Sequence, residues 1–93
     1  MALEEMIAAE ELCMHYQVPM SFLQNLQNMG LLQCNVVEEK LFIGYTHLGQ
    51  LEKMIHLHYD LDINIEGIEA ILHLLEKINH LQQQVLVLRN STH

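Results

Sequence analysis

The sequence predicts a mainly α chain: a helix-turn-helix, a small two-stranded wing, a linking helix and a long C-terminal dimerisation helix. Three observations predict it. Apolar residues recur at three- and four-residue spacing along most of the chain. Punctuation is sparse, with 1 proline and 4 glycines in 93 residues, so the connections are short. β-rich residues concentrate in one place, Cys34–Ile43. Residues 1–63 are expected to form the winged helix-turn-helix with its linking helix and residues 64–93 the long helix, all within one compact domain.

Helix one is read from Ala8 to Tyr16, where Leu12, Cys13 and Tyr16 share a face and Glu10 and Glu11 suit the positive end of the helix dipole. Gln17-Val18 turns the chain. Pro19 fits only the opening turn of helix two, because deeper it would lack a donor. Helix two runs to Met29 with Phe22, Leu23, Leu26 and Met29 inward and Gln24, Asn25, Gln27 and Asn28 outward, and Gly30 supplies a left-handed cap. Two such helices around a three-residue turn outline a helix-turn-helix.

Cys34-Asn35-Val36-Val37 and Leu41-Phe42-Ile43, separated by Glu38-Glu39-Lys40, read as the two wing strands. Thr46 is expected to cap helix three, whose buried side is Leu48, Leu51, Met54, Ile55 and Leu57, ending near Tyr59; Asp60-Leu61-Asp62-Ile63 breaks it. Asn64 then caps the last helix, which stays periodic to about Leu88. Ile68, Leu72 and Leu75 form one stripe near its start. Ile71, Leu74, Ile78, Leu81, Val85 and Leu88 alternate by three and four as a heptad seam. Its far half, carrying Gln82, Gln83 and Gln84 between seam positions, reaches beyond what so small a domain can cover. A homodimer through these six residues is the expectation; the competing reading folds the helix back onto its own body.

Composition excludes several functions. With 12 acidic and 4 basic side chains the net charge is -8, and no Lys or Arg precedes Lys40, so counterion release from DNA has little to work with and direct DNA binding is disfavoured. The start Met1-Ala2-Leu3-Glu4-Glu5 is acidic where an export signal is basic, and no apolar run approaches the roughly 18 residues of a membrane span. Two cysteines outside any CxxC spacing suit a reduced cytoplasm, and with nothing basic beside them Cys13 and Cys34 read as ordinary buried thiols. His73, Glu76 and His80 share a helix face, yet Lys77 lies among them and the face is read as solvated rather than as a zinc site. His56 and His58, two apart, point away from each other and are read as surface residues. Ser21 and Ser91 lack a nucleophile elbow, no glycine loop cradles phosphate, and the acidic run Asp60, Asp62, Glu66 and Glu69 lacks the calcium-loop pattern. No enzyme activity, cofactor or metal is expected.

The order of elements resembles the MerR superfamily, whose signature runs Val-Ser-x-x-Thr-Leu-Arg-Tyr-Tyr-Glu-x-x-Gly-Leu-Leu. In the corresponding stretch Val18–Leu32, the frame residues Val18, Leu23, Gly30, Leu31 and Leu32 agree. Gln24, Asn25 and Leu26 stand where the family's Arg-Tyr-Tyr grips phosphate. Closer still is the resemblance to the chaperone-modulator CbpM family, a MerR-like branch, which extends from Ile7 to Arg89. It rests on Glu10-Glu11-Leu12-Cys13, on Leu57–Ala70, which looks like the family's L-x-x-D/E-L-x-I-N-x-x-G-I segment, and on the closing His80–Arg89. Phe42 or Tyr45 is the equivalent of its aromatic before helix three, while Pro19 departs from its N-cap serine.

This resemblance implies a non-enzymatic modulator that binds the J-domain of a DnaJ-like co-chaperone of the CbpA type and inhibits its activity. A J-domain presents a basic helix, so an acidic dimer complements it. The carboxylates expected to contribute are Glu10, Glu11, Glu38, Glu39, Asp60, Asp62, Glu66 and Glu69. The alternative is a MerR-like DNA-binding transcription regulator, which would need cations on helix two and the wing.

Overall fold

The computed structural model describes residues 5–91. Met1–Glu4 of the acidic start, and the last two residues of the segment assigned to the long helix, lie outside them.

Strand β1 (Met6–Ala8) leads into helix α1 (Ala9–Tyr16), followed by α2 (Met20–Asn28), β2 (Asn35–Val37), β3 (Lys40–Gly44), α3 (Leu48–Ile55) and α4 (Ile65–Ser91). The architecture is the mainly helical winged helix-turn-helix with a long C-terminal helix that the sequence indicates. Gln17 takes a left-handed φ of 58° to end α1, and the Val18 N–H donates to the Cys13 carbonyl at 3.0 Å. Pro19 sits at the N-cap of α2 in extended conformation, where its missing N–H is no loss. At the other end Gly30, with φ 76°, lets the Leu31 N–H reach the Leu26 carbonyl at 2.9 Å, the left-handed closure expected of it.

The wing has a third strand. β1 pairs antiparallel with β3 on the side opposite β2, giving the order β1-β3-β2 with Ile7 opposite Ile43 and Val36 opposite Leu41. Met6 and Ala8 have little strand preference, and only pairing with β3 makes the segment a strand. Helix three also differs from expectation. Thr46 lies inside a 3₁₀ turn (Tyr45–His47), and α3 starts at Leu48 with His47 at its N-cap. The regular helix stops at Ile55, after which His56–Asp60 widen into a π-helical turn and Asp62 takes a left-handed φ of 56°. α4 begins as expected: Asn64 Oδ1 accepts from the Gly67 N–H at 2.8 Å.

The core lies beneath the helix-turn-helix. Leu12, Phe22, Leu23, Leu26, Ile43, Leu51, Met54 and Ile68 are buried, each contributing roughly 1.5–3 kcal/mol of apolar transfer. Met29, placed inward from the sequence, is half-buried. Tyr16 Oη donates to Glu52 Oε1 at 2.8 Å, joining α1 to α3. Ile68 anchors α4, with Leu72 packed beside it. At 27 residues and about 1.5 Å per residue, α4 is some 40 Å long, so most of it projects from the body.

Candidate protein-docking surface

The exposed side of α2 carries no charge. Gln24, Asn25 and Asn28 face outward, and the adjoining wing turn presents Glu38 and Glu39 ahead of Lys40. Polar side chains contact phosphate too, but Lys and Arg supply the counterion release that drives binding to nucleic acid. This surface offers amides and, at the wing, a net negative tip.

The carboxylates singled out from the sequence do not form one patch. Glu10 and Glu11 open α1; Glu38 and Glu39 are the two central residues of the β2–β3 hairpin, with φ of 51° and 66°. Asp60 closes the π-helical turn, where its Oδ2 lies 2.7 Å from His56 Nδ1, so it has a local partner. Asp62 follows in the break. Only Glu66 and Glu69 are brought together, on a groove of about 850 Å³ in the angle between α4 and the body. Gly30, Leu31, Gln50 and Lys53 form its body side, and Leu72, Leu75 and Glu76 line it from α4. Sequence reasoning missed this groove and Glu76's place in it. The signal was present as the spacing Glu66, Glu69, His73, Glu76, but spacing alone does not distinguish a solvated face from one wall of a groove.

The seam is the other prominent surface. Leu74, Ile78, Leu81, Val85 and Leu88 are 49–63% exposed in the single chain, and Ile71, nearest the body, is half-buried. At 100° per residue the seam centres about 130° round α4 from the Glu66–Glu76 stripe, so the two surfaces diverge, although Leu74 belongs to the seam and also lines the groove. Contiguous apolar exposure of this extent marks an interaction surface.

His58 is not a surface residue: its ring stacks on Phe22 at a centroid distance of 4.9 Å and its Nδ1 lies 2.8 Å from the Ile63 carbonyl, while Tyr59 meets Phe22 edge-on at 5.3 Å. These contacts secure the linker against α2. Burial, and secondarily the charge of Glu10, pushes the Cys13 thiol above its usual range; burial alone does so for Cys34. Both are therefore poor nucleophiles at neutral pH. Among the described residues no group of three His, Cys, Asp or Glu side chains could hold a metal ion, and no helix is long and apolar enough to cross a membrane.

The model of the MerR HTH family regulatory proteins matches residues 7–90, nearly the whole chain. No curated protein and no solved structure matches it.

Proposed function

The chain belongs to the MerR helix-turn-helix family of regulatory proteins, and from that premise we propose that it is a cytoplasmic, non-enzymatic chaperone modulator of the CbpM kind. It acts as a homodimer that binds the J-domain of a DnaJ-like co-chaperone and inhibits its activity.

The observation that carries this reading is a DNA-reading scaffold without DNA-binding charge: α2 exposes Gln24, Asn25 and Asn28, and Lys40 is the first Lys or Arg in the chain. The frame residues Val18, Leu23 and Leu32 are buried and Gly30 turns as the fold requires, so the scaffold is intact. What differs is the outward chemistry. A net charge of -8 repels phosphate and attracts a cationic protein. Charge of that kind accelerates and orients docking, while apolar burial supplies most of the affinity. The exposed seam of α4 supports the dimer, since a row of half-exposed Leu, Ile and Val on a helix of 27 residues is the surface a second such helix covers.

A transcription regulator is the rival reading, and membership of a regulatory helix-turn-helix family favours it. The lack of cations on α2 weighs against it. Calorimetric titration of the protein with the J-domain of its own organism's DnaJ-like protein, at low and high salt, tests the proposal. Binding that weakens as salt rises is expected; no heat of binding at low salt removes the proposal.

A further inference from the structure

The groove between α4 and the body shares Leu74 with the seam, and its other lining residues lie off the seam, so pairing of two chains through Ile71–Leu88 would reach only its Leu74 edge. Its α4 wall carries Glu66, Glu69 and Glu76, its body side Lys53, and Leu31 and Leu72 give it an apolar lining. At about 1.5 Å per residue, Glu69 and Glu76 are separated by some 10 Å along the helix, and Glu66 extends the row by one further turn. That row matches cations spaced one and two turns apart on a second helix lying alongside.

We propose that this groove is where the partner docks, and that its occupant is a cationic amphipathic helix of another protein, with Lys or Arg side chains on Glu66, Glu69 and Glu76 and an apolar edge on Leu31 and Leu72. The site rests on the function proposed above and narrows it. The carboxylates outnumber Lys53 three to one, which selects a basic occupant, and the lining supplies the apolar burial that charge alone does not. The other carboxylates are outside the contact. Glu10 and Glu11 belong to α1, Glu38 and Glu39 to the hairpin, and Asp60 is engaged with His56.

The test titrates the J-domain into three proteins: wild type, the groove variant Glu69→Gln/Glu76→Gln, and the wing variant Glu38→Gln/Glu39→Gln. A fourth, Ala70→Arg, places a cation on the groove wall at a helix-tolerant position. Circular dichroism confirms folding and sedimentation gives the mass of each. The groove variant is expected to bind about tenfold more weakly, from the loss of two ion pairs, with Ala70→Arg weaker still and the wing variant unchanged. Equal binding by the groove variants, or loss confined to the wing variant, overturns the assignment. A change in mass of the groove variants overturns it too, because the occupant is then a second copy. If wild type itself does not bind, the function fails together with the site; if wild type binds and the groove variants bind equally, the site alone fails.

Discussion

Gly67 stands so close to Ile63 that a β-carbon on it would lie 2.7 Å from the Ile63 Cγ2 methyl and 3.0 Å from Asn64 Oδ1. The first turn of α4 thus closes over the linker that precedes it, and the Asn64 cap holds it there at 2.8 Å from the Gly67 N–H. Gly67→Ala sets two effects against each other. Helix propensity improves by up to about 1 kcal/mol, while crowding against a branched side chain costs roughly 1–3 kcal/mol. A net loss of about 1 kcal/mol is expected in chemical denaturation, and a gain would show that Ile63 yields freely. Asn64→Ala should lose about 1 kcal/mol through the cap alone.

The hairpin turn offers a stabilising change. Glu38 and Glu39 both hold left-handed backbone between Val37 and Lys40, which are paired. Asn-Gly is the sequence that geometry favours. Glu38→Asn/Glu39→Gly should stabilise the protein by roughly 1 kcal/mol and raise the melting temperature by about 4–8 °C. An unchanged or lower melting temperature would contradict the turn geometry.

Much of this architecture was legible because local chemistry and tertiary packing agree. Pro19, Gly30 and Asn64 each act as their side chains dictate, and the stripe Phe22, Leu23, Leu26 is buried as its spacing indicates. What escaped was non-local. Met6–Ala8 becomes a strand only through β3, more than thirty residues away. His58 is held by Phe22 and the Ile63 carbonyl, neither of which its spacing from His56 reveals. For the site, the sequence pointed to acid in general, whereas the fold gathers Glu66 and Glu69 with Glu76 and leaves the rest dispersed.

The seam makes a prediction independent of any partner. Ile78→Asp and Leu81→Asp would put charge into the middle of the proposed two-helix interface, where an unpaired charge is costly. In the single chain both side chains are about half exposed, so the body should fold normally. Sedimentation is expected to show monomers, and cooperative unfolding followed by circular dichroism a folded body. A variant that keeps the mass of the wild type would contradict the proposed seam.

The cysteines supply a chemical check on burial. With both thiols held above their usual range, each should react with a disulfide reagent at neutral pH more slowly than a cysteine in a short peptide, and faster after unfolding. Glu10→Gln removes a charge that helps to raise Cys13 and should accelerate that residue alone, since Cys34 is raised by burial only. Equal acceleration of both would place the cause elsewhere.

Under the proposed function, a helix-turn-helix whose α2 carries no cation has exchanged nucleic acid for a basic protein. The most direct test of that exchange is fluorescence anisotropy of two labelled ligands, the J-domain and a duplex from the protein's own promoter region, titrated in parallel at low and at physiological salt. Saturable, salt-weakened binding of the J-domain and no selective binding of the duplex are expected. Tight, sequence-selective retention of the duplex at physiological salt, with the J-domain left free, would contradict it.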